Sequence, residues 1–369
     1  MTSRTRRQHV VSRFYLNGFA NEDQRVARVE LPGDVTRVLS TGDAGVIKDF
    51  YTITLPDGTK SDFFERAFGE VEGLAAEAMR AITSGVWPVP DEHRASLAAW
   101  IALQHLRSED VRAGQGSMRA GMIQLIVGVS GRAALREVIE RAERRTISDE
   151  ELDWEWADLT KSGGPDLAED PDEHLRLLSD LLPGTTHYFY DCHWTLYRFQ
   201  RRVLVTSDHP VSLCVEPDYP AYMGVGLATA DLFVVPLSRR LGLTIQPRTR
   251  LERYPVDPTS VPDFAHDGTT AIARSFNQET VGRARRYVYH HPEDQPLIGL
   301  HIPEPDTRRG PQTSDIDRMV HEDGLFHGMT TTQKQALSSP AGGSSEGMSI
   351  DDLPWPIPGR RISGRPHFS

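Results

Sequence analysis

Between Ser61 and about residue 182 the apolar residues recur at helical spacing, and beyond Pro183-Gly184 the chain turns to aromatic and β-branched runs. That segregation predicts an α+β fold: a helical middle packed with a small N-terminal β region and a larger, mainly antiparallel C-terminal sheet. Ser61 or Asp62 would cap a helix with Phe63, Phe64, Phe68, Val71, Leu74, Ala75, Ala78 and Met79 on its apolar face, ending near Ser84-Gly85. A second helix runs from about Asp91 through Leu97, Trp100, Ile101, Leu103 and Leu106 to about Arg112. Further helices are expected at about 117–128, 132–145, 149–158 and 172–182. Strand-like runs follow at 187–199, 203–206, 211–215, 232–236 and 241–245; a helix at about 269–285 then leads into Tyr287-Val288-Tyr289 as a closing strand. At the start, Val10, Val11, Phe14, Tyr15 and Phe19 predict a short amphipathic helix that stops at Asn17-Gly18, before strands at 25–31, 36–39 and 51–55.

A chain of 369 residues with 38% hydrophobic and 25% charged residues can bury a sizeable core. We expect one α+β domain over residues 1–302, followed over 303–369 by a flexible Gly/Ser/Pro-rich tail. The apolar, proline-rich stretch Leu353-Pro354-Trp355-Pro356-Ile357-Pro358 could dock on this protein or on a partner. A formal charge of −11 gives no bulk attraction to polyphosphates, so nucleic acid would need a local basic patch. Cys192 and Cys214 are too few for a disulfide framework. A zinc reading that pairs Cys192-His193 with His209 and Cys214 is weakened because adjacent strand residues face opposite ways. No secretion signal is visible and apolar stretches fall short of the ~20 residues that span a bilayer, so no membrane partner and a cytoplasmic location are expected. Oligomeric state is not readable from the sequence.

A series of short motifs runs through the chain: Gln8-His9-Val10-Val11-Ser12-Arg13-Phe14-Tyr15-Leu16, Asp49-Phe50-Tyr51, the glutamate-bearing helix, and Gln104-His105-Leu106-Arg107. Thr206-Ser207-Asp208-His209-Pro210, Pro236-Leu237-Ser238 and Asn277 follow. In this order, over roughly residues 8–290, the set resembles the bacterial domain-of-unknown-function family 4238. The family pattern usually has proline where this chain has Ser12, and often asparagine where it has His209; neither change removes an ionisable group from this chain. The resemblance implies a shared fold and carries over no activity.

Glu65 and Glu72 lie seven apart on one predicted helix, which returns them to within about 20° of the same face. Gln104 and Arg107, three apart on the next helix, also share a face. Were these helices an antiparallel pair, two carboxylates would meet an amide and a guanidinium across a groove. His9 could add a general base, and Asp208, directly after a strand, a further carboxylate. One imidazole with Glu65, Glu72 and Asp208 would suit Mg²⁺ or Mn²⁺, whose Lewis acidity serves phosphodiester hydrolysis, with Arg13 and Arg107 on phosphate oxygens and Asn277 as a further polar contact. The expectation is therefore a bacterial hydrolase, at its most specific a metal-dependent nuclease of stress or defence, built on His9, Glu65, Glu72 and Asp208. The alternative is a non-catalytic binding or regulatory protein. On that reading the glutamates are solvated or paired helix positions, Gln104 and Arg107 fix packing, Asp208 caps its turn, His9 is a capping or core histidine, and Asn277 satisfies backbone groups.

Several chemistries lack their residues. The chain has no Gly-x-x-x-x-Gly-Lys-Ser/Thr loop, no His-Glu-x-x-His and no Gly-x-Ser-x-Gly. Gly224-Val225-Gly226 precedes a strand-like run, the wrong context for a dinucleotide. Lysine occurs at 48, 60, 161 and 334 alone, which weighs against nuclease schemes that place a lysine beside metal carboxylates.

Overall fold

The computed structural model describes residues 6–54, 57–168, 171–219, 225–305 and 349–362. The chain divides into two compact units, one of residues 1–111, 171–219 and 225–308, the other of 112–170, 220–224 and 309–369.

In the first unit the chain enters as strand β1 (Arg7–His9), turns into the single-turn helix α1 (Arg13–Leu16), and continues as a 3₁₀ turn, Asn17–Phe19. The opening segment is thus split rather than helical throughout, because Gln8, Ile47 and their neighbours pair in a small antiparallel ladder. Strands β2 (Arg25–Glu30), β3 (Val35–Ser40), β4 (Val46–Lys48), β5 (Ile53–Thr54) and β6 (Lys60–Ser61) follow. Helix α2 (Phe63–Thr83) buries Phe68, Ala75, Ala78 and Ile82, and helix α3 (Asp91–Leu106) buries Leu97, Trp100, Ile101 and Leu103. Asp91 and Glu92 in the first turn of α3 favour the positive end of its dipole. Helix α3 stops several residues before the expected end: Arg107 leaves the helical region, and Ser108 Oγ accepts from Val111 N at the start of the next helix.

The run α4 (Glu109–Glu143) is two helices that meet at a kink at Gly131, whose φ of 85° is open to glycine, so the chain breaks between the two helices expected at about 117–128 and 132–145. Helices α5 (Asp149–Thr160) and α6 (Pro171–Asp191) come next. α6 runs on through Pro183 into residues read from their aromatics as strand; Phe189 is fully buried against Phe233, ring centroids 5.0 Å apart, so packing overrides the β propensity of Tyr188-Phe189-Tyr190.

Strands β7 (His193–Arg198), β8 (Thr206–Ser207), β9 (Ser212–Cys214), β10 (Leu232–Ser238), β11 (Leu241–Gln246) and β12 (Phe264–Asp267), helix α7 (Thr270–Arg283) and strand β13 (Tyr287–His290) complete the unit. A five-stranded sheet has the order β12-β7-β11-β10-β9, antiparallel except for the β12–β7 pair. β12 escapes sequence reading because all four of its residues are exposed and show no alternation. A four-stranded sheet, β3-β2-β13-β8, joins the N-terminal hairpin to the closing strand, so the small β region is not separate from the C-terminal one. Gly242 on β11 has no side chain to give: an added Cβ would stand 2.5 Å from the Phe276 ring of α7.

The fold class is α+β, with a helical middle and a C-terminal sheet. In the second unit, Ile123, Val127, Leu135 and Ile139 of α4 and Leu152 and Leu159 of α5 share a core with Ile350, Leu353 and Ile357. The apolar, proline-rich stretch therefore lies against its own chain, held by Arg360, which pairs with Glu155 and Asp158 at 2.6 Å each. The expectation for residues 306–348 falls outside the described residues. Among those described, no helix is long and apolar enough to cross a membrane.

A buried serine–arginine–glutamate network and its half-buried acid

Ser12, at the N-cap of α1, projects a fully buried hydroxyl towards α2 and α3. It donates to Glu72 Oε1 at 2.8 Å and accepts from Trp100 Nε1 at 3.0 Å and Arg107 Nη2 at 2.6 Å. One hydrogen and two lone pairs are all a hydroxyl has, so this centre is saturated. Arg107, 1% exposed, also binds Glu72 Oε1 through Nη1 at 2.8 Å. The Gln104 amide turns its oxygen to the guanidinium, accepting from Nε at 2.8 Å; the reverse orientation would press its amide hydrogens onto a cation. The expected grouping of Glu72, Gln104 and Arg107 is therefore real, and its product is a fixed, mutually satisfied network.

Glu65, two turns before Glu72, lies outside that network. Its Oε1 accepts from the backbone N–H of His9 at 3.4 Å, a long bond. Burial pushes its carboxyl up to about 7, against the opposing pull of the His9 amide and Arg107. Burial also lowers the imidazole of His9; Glu72 opposes this, and the charges of Arg107 and Arg13 add to it. His9 Nε2 is buried with no hydrogen-bond partner among the described residues. Arg13, exposed beside this pair, donates to the neutral Gln24 amide at 3.0 Å. Tyr51 braces the floor: its N–H binds Gln8 Oε1 and its hydroxyl donates to the Arg107 carbonyl at 3.4 Å.

Asp208 and Asn277 do other work. The Asp208 carboxylate accepts from three successive backbone amides, Arg285 at 2.8 Å, Arg286 at 2.7 Å and Tyr287 at 3.0 Å, which anchors the turn into β13. Burial raises it to about 6 while those three amides pull it down. The Asn277 side chain accepts from Val205 N and donates to Val203 O, both at 3.0 Å, which ties α7 to the chain before β8. The metal set expected from Glu65, Glu72 and Asp208 is not assembled: Asp208 is occupied by amides and Glu72 by a guanidinium. No group of three or more His, Cys, Asp or Glu placed to hold an ion occurs among the described residues. Cys192 Sγ donates to the Tyr188 carbonyl, and His193 Nε2 meets the Pro262 carbonyl at 2.8 Å.

Ser12, Trp100 and Tyr51 were not among the expected site residues. Trp100, Gln104 and Arg107 stand at i, i+4 and i+7 of α3 and its end, a spacing that does announce one face. Nothing comparable marks Ser12, whose role depends on a long-range approach. A second polar group joins other motif residues: His105, half-buried and pushed down to about 3 by burial of its ring, lies against His209, whose Nδ1 is 3.3 Å from Asp110 Oδ2.

The family described as protein of unknown function (DUF4238) matches residues 7–294, which hold every residue of the network and both sheets. No curated protein and no solved structure matches the chain. With most of its length covered by that match, from β1 to the turn after β13, the chain belongs to the DUF4238 family.

Proposed function

We propose that this chain is a hydrolase of phosphodiester bonds whose acid and base are Glu65 and His9, held in place by the Ser12–Glu72–Gln104–Arg107 network. The observation that carries the reading is the contrast between neighbours: Glu72 Oε1 is held by both Ser12 and Arg107, while Glu65 has one long bond, to the backbone N–H of His9, whose own imidazole Nε2 has no partner among the described residues. A base whose proton affinity is lowered and an acid whose proton affinity is raised are what general acid–base chemistry near neutral pH requires.

In the step, His9 Nε2 takes a proton from water as the water oxygen bonds to phosphorus. The bond from phosphorus to the leaving oxygen breaks, and the Glu65 carboxylic acid supplies that oxygen with a proton. Arg13 binds a non-bridging phosphate oxygen. The Arg107–Glu72 pair acts at one remove, by fixing Ser12 and the electrostatics around His9.

Full-length protein is incubated with bis(p-nitrophenyl) phosphate and with RNA and DNA oligonucleotides, with and without Mg²⁺ or Mn²⁺, beside Glu65→Gln and His9→Gln. Each substitution should lower kcat by about 10²–10⁴-fold. The rate should rise as His9 loses its proton below pH 6.5 and fall as Glu65 ionises through about 7. Equal rates for wild type and both variants refute the assignment. A second reading, a non-catalytic binding protein, draws on the saturation of the network and on the backbone bonds of Asp208 and Asn277; absence of turnover in every arm favours it.

A further inference from the structure

In the second unit, Pro354, Pro356 and Pro358 have no N–H, so between Leu353 and Pro358 the chain forms neither helix nor strand ladder and runs as an extended thread. Alternate side chains of such a thread face opposite ways. Leu353, Trp355 and Ile357 pack onto the core of α4 and α5, while the three prolines are exposed. Ahead of the thread, Ser349 and Asp352 form a capping box around the turn Ile350–Asp352, and Ile350 enters the same core three residues before Leu353.

Polar groups read the thread along its length. Arg141 pairs with Asp351 at 3.0 Å, and Glu143 Oε1 accepts from the Trp355 indole at 3.0 Å. At the far end the apolar trough gives way to Glu155 and Asp158 of α5. Arg360 meets both at 2.6 Å, its guanidinium 5.6 and 5.7 Å from the Trp154 and Trp355 ring centroids. The main chain adds a bond from Ala168 N to Gly359 O at 2.7 Å and one from Arg361 N to Asp166 O at 2.8 Å, about a single antiparallel bridge between Leu167 and Arg360. Side chains and isolated main-chain bonds carry the contact, without a shared helix or sheet. Folded domains take proline-rich peptides in this way, because an extended thread costs little entropy to fix. The walls of the groove, α4, α5 and residues 161–168, lie within the family match over 7–294; the segment that fills it lies outside that match.

We propose that the α4–α5 groove is a peptide-recognition site, that residues 349–362 are its resident ligand in cis, and that it accepts a segment of the same chemistry from a partner protein. That chemistry is two aliphatic anchors three residues apart, a tryptophan between prolines, a further aliphatic residue, and an arginine five residues after the tryptophan. The arginine gives direction and selectivity, since an apolar thread without a cation would leave the buried Glu155 and half-buried Asp158 facing no charge at that end. Covalent attachment keeps the resident segment at high local concentration, so a partner enters when it is in large excess or when the link through residues 306–348 is cut.

The test places a protease recognition site between Ser344 and Ser345 of the full-length chain, cuts it, and titrates cut and uncut protein with a fluorescein-labelled peptide of residues 349–362, read by anisotropy. The cut protein should exchange its own fragment for the peptide and bind it at least roughly tenfold more tightly than the uncut protein does. Arg360→Ala in the peptide should weaken binding by at least roughly thirtyfold, and Asp158→Asn in the groove should weaken binding of the unaltered peptide. A fragment that stays with the cut chain against a large excess of peptide, or whose loss unfolds α4 and α5 by circular dichroism, makes the segment an inseparable part of the core and overturns the proposal. Peptide binding indifferent to Arg360→Ala, or equal for cut and uncut chains, also overturns it. A dimer of the uncut chain that Arg360→Ala abolishes would give the groove to a second copy instead of a partner protein.

Discussion

Replacing Glu65 by glutamine keeps the shape and the oxygen that accepts from His9 N–H, and removes the ability to ionise. In the folded chain this carboxyl is raised from 4.5 to about 7, chiefly by burial. A carboxyl harder to ionise when folded than when unfolded costs stability once it is charged. Below pH 4.5 it is protonated in both states and costs nothing; between 4.5 and 7 the penalty grows; above about 7 it is complete. The gap spans roughly 2.5 pH units, and at ~1.4 kcal/mol per unit its ceiling is about 3.5 kcal/mol. Glu65 keeps partial contact with solvent, and screening reduces this to about 1–2 kcal/mol. Urea denaturation of wild type and Glu65→Gln from pH 4 to 9 should give curves that meet at the acid end. The variant should be more stable above neutrality. A variant that is less stable at pH 8.5, or a difference that does not change with pH, refutes the claim that Glu65 is desolvated without a stabilising partner. Stability gained together with activity lost is the pattern of a residue kept for chemistry.

Arg107→Ala should strand Ser12 and Glu72 and destabilise by about 3–5 kcal/mol, read as a fall in denaturation midpoint, whereas Glu72→Gln keeps the acceptor and should cost less. Asp208→Asn leaves the amides of residues 285–287 sharing one carbonyl oxygen and should cost about 1–3 kcal/mol, with unchanged specific activity per folded molecule. Loss of activity at full stability would return Asp208 to the site. In the second unit, Arg360→Ala uncovers the buried Glu155 carboxylate; limited proteolysis should then cut within 349–362 at protease levels the wild type withstands.

Local pattern announced the long amphipathic elements well. α2 runs from its Asp62 N-cap to Ser84 as its Phe, Leu and Ala spacing required, and β10 and β11 fall on their apolar runs. Where local preference and packing disagreed, packing decided: Tyr188-Phe189-Tyr190 reads as strand, yet Phe189 is needed in the core at the end of a helix. At the site, the i, i+7 glutamates and the i, i+3 Gln104 and Arg107 were legible because a helix fixes relative direction. Their division of labour was not. Ser12, approaching from some sixty residues upstream, joins Arg107 in holding Glu72, while Glu65 keeps one long bond to the His9 amide. Asp208 showed its type but not its task, since the three amides that hold it come from Arg285, Arg286 and Tyr287.

The core of the second unit has a consequence for synthesis. The apolar faces of α4 and α5 are closed by Ile350, Leu353 and Ile357, encoded far downstream, after the whole sheet of the first unit. During translation those helices leave the ribosome with their hydrophobic seam uncovered, and it stays so for more than the time taken to make the rest of the fold. Through that interval the seam is open to chaperones and to neighbouring nascent chains on a polysome.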